Sequence, residues 1–249
     1  IMKLKKIASL MLAGVMAVSM LAGCQNANVD PEQPTDPIQP GTNGVSAAVE
    51  ARVAANLDKI NDEIPEYVTF QDSSDLDANL EYAVEYAGVL DIMPQYVVAD
   101  ELETVPVDYD IYNRLQVAVG DDPVDGVAIW NIGDVQTLEE AENVNSYEID
   151  DEVAVVMYAI SNAIGENAVN QMIAEQIDDC VADYEYSTRH VNNVGNAGGN
   201  YNHEYTVSIS TYTKAVNSSI VGAAGIIGGA ADPAVTFVAV QVVRTATHQ

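Results

Sequence analysis

The run Val235-Thr236-Phe237-Val238-Ala239-Val240-Gln241-Val242-Val243 is the most constraining feature of this chain. It is almost continuously apolar and mostly β-branched, so it suits a strand with no solvent face, and such a strand must be covered on both sides. Just upstream, Tyr205, Val207, Ile209 and Thr211 alternate with Thr206, Ser208 and Ser210, the two-residue period of a half-buried strand. Helical spacing appears earlier. Val49, Val53, Leu57, Ile60 and Ile64 recur at three to four residues before Pro65, and Leu76, Leu80, Ala83, Val84, Ala87 and Leu90 do so after the capping run Asp72-Ser73-Ser74-Asp75.

Between Pro94 and Gly133, Tyr96-Val97-Val98, Leu115 to Val119 and Val127 to Ile132 are short apolar runs bounded by Pro, Gly and Asp, which predict short strands, with a turn at Gly120-Asp121-Asp122-Pro123. Glu152 to Ile164, apolar nearly all round, predicts a buried helix ended by Gly165, and Asn167 to Tyr184 predicts an amphipathic one. The order of helices, strands, helices and strands predicts an α+β fold, with helices packed on a mostly antiparallel sheet that ends in two long strands.

Nine basic and 38 acidic side chains give a formal charge of −29. A surface this negative repels phosphate backbones and anionic headgroups, which argues against nucleic acid as a partner. Of the nine cations, Lys3, Lys5 and Lys6 open a segment whose apolar core runs from Ile7 to about Met20, the layout of a secretory signal. It ends Leu21-Ala22-Gly23-Cys24, which resembles the lipobox of bacterial lipoproteins. The resemblance covers residues 2–24 and implies cleavage before Cys24 and acylation of its sulfur, for example by palmitate. Removal of the three lysines would take the formal charge from −29 to −32.

Pro31, Pro34, Pro37 and Pro40 follow at a three-residue spacing, which favours an extended tether at about 3.1 Å per residue; a groove-binding proline motif is the alternative. The predicted organisation is a signal peptide over 1–23, the acylated cysteine and tether over 24–45, and one acidic domain over 46–249.

Signatures of common catalytic sites, such as G-x-S-x-G, H-E-x-x-H and C-x-x-C, do not occur, and the glycines of 222–229 lack a Walker lysine. Cys180 falls on the apolar stripe of the helix predicted after Asn167, where Asp178, Asp179 and Asp183 disfavour the thiolate that a nucleophile needs. A core thiol is the expectation. Asp75 to Asn79 begins like a calcium loop, but Leu80 stands where glycine is required and Tyr86 where a bidentate glutamate belongs. Asp121, Asp122 and Asp125, or Asp108 and Asp110, remain weak metal candidates beside the reading of a solvated acidic face.

His190 and His203 flank a polar Asn/Gly loop, with Glu204 beside the second and Gly165-Glu166-Asn167 before the preceding helix. In element order over 46–249 and in this Gly-Glu-Asn triplet the chain resembles the CAP superfamily. That resemblance implies a cleft of His and Glu side chains, to which Glu166, His190, His203 and Glu204 would contribute as catalytic or metal-binding groups. The family's His-Tyr-Thr-Gln run does not occur, and the triplet comes late in the chain. Thirteen tyrosines against two phenylalanines suit contact surfaces for protein or glycan, and Tyr201, Tyr205 and Tyr212 near the polar loop are the first candidates; tyrosines paired across strands are the alternative.

The expectation is thus a lipoprotein anchored to a cell membrane through Cys24 and facing the extracytoplasmic side. It would be a non-catalytic binding or envelope-structural module that needs no cofactor; a CAP-like or other acidic-cleft enzyme or metal-binding domain is the alternative. The charge yields a test. Self-repulsion predicts that added salt raises the melting temperature, and that NaCl and CaCl₂ do so equally at matched ionic strength; a much larger calcium shift would reveal a specific site.

Overall fold

The computed structural model describes residues 44–87, 92–120, 132, 152–189, 200–216 and 233–249. In chain order the elements are α1 (Val45–Asp58), β1 (Val68–Phe70), α2 (Ser74–Glu85), a 3₁₀ turn (Pro94–Val97), β2 (Glu103–Thr104), α3 (Asp110–Val119), β3 (Glu152–Ser161), α4 (Glu166–Ala182), β4 (Ser187–Arg189), β5 (Asn200–Ala215) and β6 (Ala234–His248). The fold is α+β: helices pack on a mostly antiparallel sheet whose last two strands are long.

The strand order is β1-β5-β6-β3-β2, with β4 also on β5. Among the described strands only β1, which pairs Val68 with Tyr205, runs parallel to its neighbour. Alternation divides the core in two. Ala154, Val156, Tyr158 and Ile160 of β3, Tyr205, Val207 and Ile209 of β5, and Val238, Val240 and Val242 of β6 face α1 and α4. Val155, Met157, Ala159, Val235, Phe237 and Ala239 face α2, α3 and the 3₁₀ turn. The 235–243 run is therefore covered on both sides as predicted, and full burial of a side chain such as Phe237 contributes about 1.5–3 kcal/mol.

Three assignments differ from the sequence reading, at 152–161, at 115–119 and at 96–98, where a short strand is expected. Residues 152–161 form β3, not a helix, because a strand sandwiched between helix layers is apolar on both faces and loses the two-residue signature. Gly165 accordingly lies before α4 at its N-cap position. Residues 115–119 belong to α3, not to a strand; Ile111, Tyr112 and Leu115 are buried, Val117 is 81% exposed, and Gly120 ends the helix in the left-handed region at φ +77°. Tyr96 and Val97 lie in the 3₁₀ turn.

Smaller differences follow the same logic. Helix α1 stops before Ile60, which is 63% exposed, and Asn61 follows at φ 60°. Ser208 and Ser210, read as solvent-facing, are buried on the α2 side of β5. The strand expected over 127–132, Ile132 apart, lies outside the described residues, as do the turn at 121–123 and the segment 217–232.

Helix starts are capped in two ways. Ser73 accepts from the Leu76 amide at 3.2 Å, and Asp75 and Asp77 favour the positive end of α2. At α1 the carboxylate of Asp72 comes from outside the helix and accepts from the Ser46 amide at 3.1 Å. A side chain on Gly44 would occupy the place of that carboxylate. The buried Ser46 hydroxyl accepts from the Ile209 amide at 3.0 Å and lies 3.3 Å from the Gln71 carbonyl, which seals the edge of β5 where β1 ends.

Ser46→Ala should therefore leave the Ile209 amide buried without its acceptor and cost about 1–3 kcal/mol in urea titration. Val117→Ala, at an exposed position, should change stability by less than about 0.5 kcal/mol. Equal effects of the two substitutions would contradict the sealing role of Ser46.

Candidate functional site

The outer edge of β5 must satisfy its backbone groups, and separate pieces of chain do so in turn. Strand β4 pairs Ser187 to Arg189 with Asn202 to Asn200. The His203 amide then donates to the Tyr186 carbonyl at 2.7 Å, and the Tyr205 amide to the Tyr67 carbonyl at 2.8 Å. Because β4 is antiparallel to β5 and β1 is parallel, the two short strands run away from each other along one edge. Their N-terminal starts meet, and Tyr186 and Tyr67, far apart in the chain, become neighbours.

Their ring centroids lie 5.3 Å apart at an interplanar angle of 40°. Tyr67 continues inward to Tyr205 at 6.2 Å, and Tyr205 stacks on Tyr184 at 4.3 Å and 3°. The hydroxyls of this ladder are fixed on backbone carbonyls: Tyr67 donates to Tyr184 at 2.5 Å, Tyr205 to Glu185 at 3.0 Å and Tyr184 to Ile132 at 3.1 Å. Tyr186, 48% exposed, ends the ladder at the surface.

Glu66, Tyr67, Tyr186 and Glu204 line an open groove of about 470 Å³, with no Lys or Arg among the described residues of its lining. Glu204 is exposed and sits on β5 between the stretches covered by β4 and β1. Burial, with the Glu185 carboxylate second, raises the pKa of Tyr67, so its hydroxyl stays neutral beside these acids. Among the described residues the site therefore offers two aromatic faces and two carboxylates. A second exposed pair, Tyr82 and Tyr86 at 4.8 Å, lies at the end of α2, but the adjoining hollow includes Arg114 and Val117.

The residues singled out from sequence are dispersed. His203 is fully buried on β5, whereas Glu204, the next residue, is exposed on the other face. Glu166 opens α4 just beyond the end of β3, where Ser161 pairs with Val235. His203 pairs with Ala246, eleven residues further along β6, a span of about 35 Å along the strand, so Glu166 and His203 lie at opposite ends of the sheet. The structure does not bring them into one cleft. Among the described residues no group of three or more His, Cys, Asp and Glu side chains could hold a metal ion. Cys24, Asp121, Asp122, Asp125 and His190 lie outside the described residues.

Tyr201 and Tyr205 are buried and present no contact surface, and Tyr212 lies on the opposite face of β5 with its hydroxyl on Glu85 Oε1 at 2.7 Å. That hydrogen bond is the main reason its pKa is pushed up to about 12. Cys180 is half-buried against the α1/α4 core. Sequence reasoning missed Tyr67 and Tyr186, since no local pattern announces strand starts that meet on a third strand. It also missed Arg244, a buried cation in register with Tyr205. Comparison with family models, with curated proteins and with solved structures found no match for this chain.

Buried tyrosines make the fold sensitive to alkali. Burial, with Cys180 second, raises Tyr158 to about 12, whereas an unfolded tyrosine titrates near 10. Above pH ~10 the unfolded chain releases this proton first, so the contribution is complete below that pH and is lost as pH rises toward the folded value. Urea midpoints should fall above pH ~10, and Tyr158→Phe should reduce the slope between about 10 and 12. Identical slopes in the two chains would contradict the assignment.

Proposed function

We propose that this chain is a lipid-anchored lipoprotein on the extracytoplasmic side of a cell membrane, and that its acidic domain is a non-catalytic binding module. The anchor is supported by residues 2–24, in which a basic start, an apolar core and Leu21-Ala22-Gly23-Cys24 follow in the order of a lipobox signal. Among the described residues no helix is long and apolar enough to cross a membrane; in this reading the acylated sulfur of Cys24 is the attachment. The proline-spaced tether after it would hold the domain some tens of ångströms from the lipid.

One observation carries the binding half: tyrosine rings are presented in the groove at the β4/β1 gap with their geometry already set. The Tyr67 side chain is pinned by its hydroxyl, and the Tyr186 ring rests on it from a main chain fixed by its carbonyl, which limits the side-chain freedom lost when a partner docks. Tyrosine joins a large apolar face to a polar tip, the combination favoured at protein contact surfaces.

The anchor is tested by Cys24→Ala in cells supplied with labelled palmitate. The unaltered chain should take up the label and sediment with membranes, whereas the variant should take up none and be released with an unchanged melting temperature. A single acyl chain binds membranes only marginally, so a stable anchor requires more than one. Retention of Cys24→Ala in the membrane fraction would overturn the anchor.

A further inference from the structure

We propose that the groove lined by Tyr67, Tyr186, Glu66 and Glu204 receives an arginine side chain from a basic segment of a protein partner. The inference deepens the binding-module reading and rests on it. The rings of Tyr67 and Tyr186 touch, inclined at 40° with centroids 5.3 Å apart, and together form a bent aromatic wall on whose open side a flat cation can stack. A cation within about 6 Å of such a ring is attracted by its quadrupole. Glu66 and Glu204 stand in the same lining and can accept hydrogen bonds from the guanidinium, while no lysine or arginine among the described residues of the groove competes for them.

Other occupants fit less well. Calcium requires about six to eight oxygen ligands, and half of the described lining is aromatic. An anionic lipid headgroup would meet two carboxylates and the field of a chain with formal charge −29. Arginine matches both parts of the lining, because a planar guanidinium stacks on aromatic rings and bonds carboxylates in a fork, whereas a lysine ammonium does only the second well. The groove is open and shallow, so the charge would arrive on a side chain that projects from a larger partner. The net negative charge of this protein would speed that encounter.

The test is calorimetric titration of the full chain, in nonionic detergent at about 0.15 M salt, with the blocked peptide Gly-Arg-Gly-Arg-Gly. Its lysine and citrulline counterparts and tetramethylammonium serve as the other probes. The arginine peptide should bind most tightly, and citrulline, which keeps the shape without the charge, should abolish binding. Tyr186→Ala should weaken binding by about 3- to 30-fold, Glu204→Gln should weaken it several-fold, and Tyr186→Phe and Tyr82→Ala should leave it near the unaltered value.

Failure of the unaltered chain to bind the arginine peptide would overturn the inference, as would equal affinities in Tyr186→Ala, Glu204→Gln and Tyr82→Ala, which would mean diffuse charge attraction. Tetramethylammonium binding as tightly as the peptide would replace a protein partner by a small quaternary ammonium ligand and overturn it too. If Tyr186→Ala fails to fold, Glu204→Gln against Tyr82→Ala decides. None of these outcomes bears on the anchor, which the Cys24→Ala fractionation tests separately. Loss of arginine binding beside intact membrane attachment would thus remove the ligand class alone.

Discussion

The antiparallel ladder between β5 and β6, continuous from Tyr201–His248 to Ala215–Ala234, is the interaction on which the rest of this structure depends. It places β5 beside a strand that is covered on both faces, and so obliges the other edge of β5 to find partners as well. A buried or half-buried edge with unmet amides would cost more than one ordinary mutation removes. No single strand does this work. β4, the Tyr186 and Tyr67 carbonyls, the Gln71 amide on the Val207 carbonyl and the Ser46 hydroxyl share it along the edge. Where two of these pieces diverge, a gap opens, and the tyrosine groove is that gap.

The same need for partners explains why the chain uses tyrosine where phenylalanine would fill the space. Tyr112 donates to the Val155 carbonyl at 2.6 Å, and the ladder of Tyr67, Tyr205 and Tyr184 ends each hydroxyl on a carbonyl. A ring that packs in the core and also supplies a donor joins a loop or strand end to it, each bond contributing about 1 kcal/mol net. Tyr212 does this at the second face together with Lys214, whose Nζ donates to the Val84 carbonyl at 2.7 Å at the end of α2. The ion pairs Arg114–Asp110 at 3.8 Å and Lys214–Glu85 at 3.9 Å are partly exposed and add little.

Much of the fold is legible in residue patterns, and its misreadings have one cause. Val49, Val53 and Leu57, or Val169, Ile173, Ile177 and Val181, mark one helical face each because the other face is wet. Ala154 to Ile160 and Phe237 to Val240 are wet on neither face, and a run without a polar side carries no period from which to tell strand from helix. β-branched Val153, Val155, Val156 and Ile160 favour the strand, but the all-round apolar texture also fits a buried helix. In α3 the exposed Val117 lengthens an apolar run into an apparent strand.

From the sequence alone come the acidic charge, the lipobox-like start, the class of fold, the long final strands and the surplus of tyrosine, because each is a property of composition or of neighbouring residues. The candidate site is not of that kind. Tyr201, Tyr205 and Tyr212 lie close together in the chain, yet strand alternation buries the first two and sends the third to the opposite face. Tyr67 and Tyr186 share no local pattern, and the direction in which β1 and β4 leave a common strand makes them neighbours. Local chemistry decides which residues can be buried; only the pairing of distant segments along one edge decides which of them remain outside together.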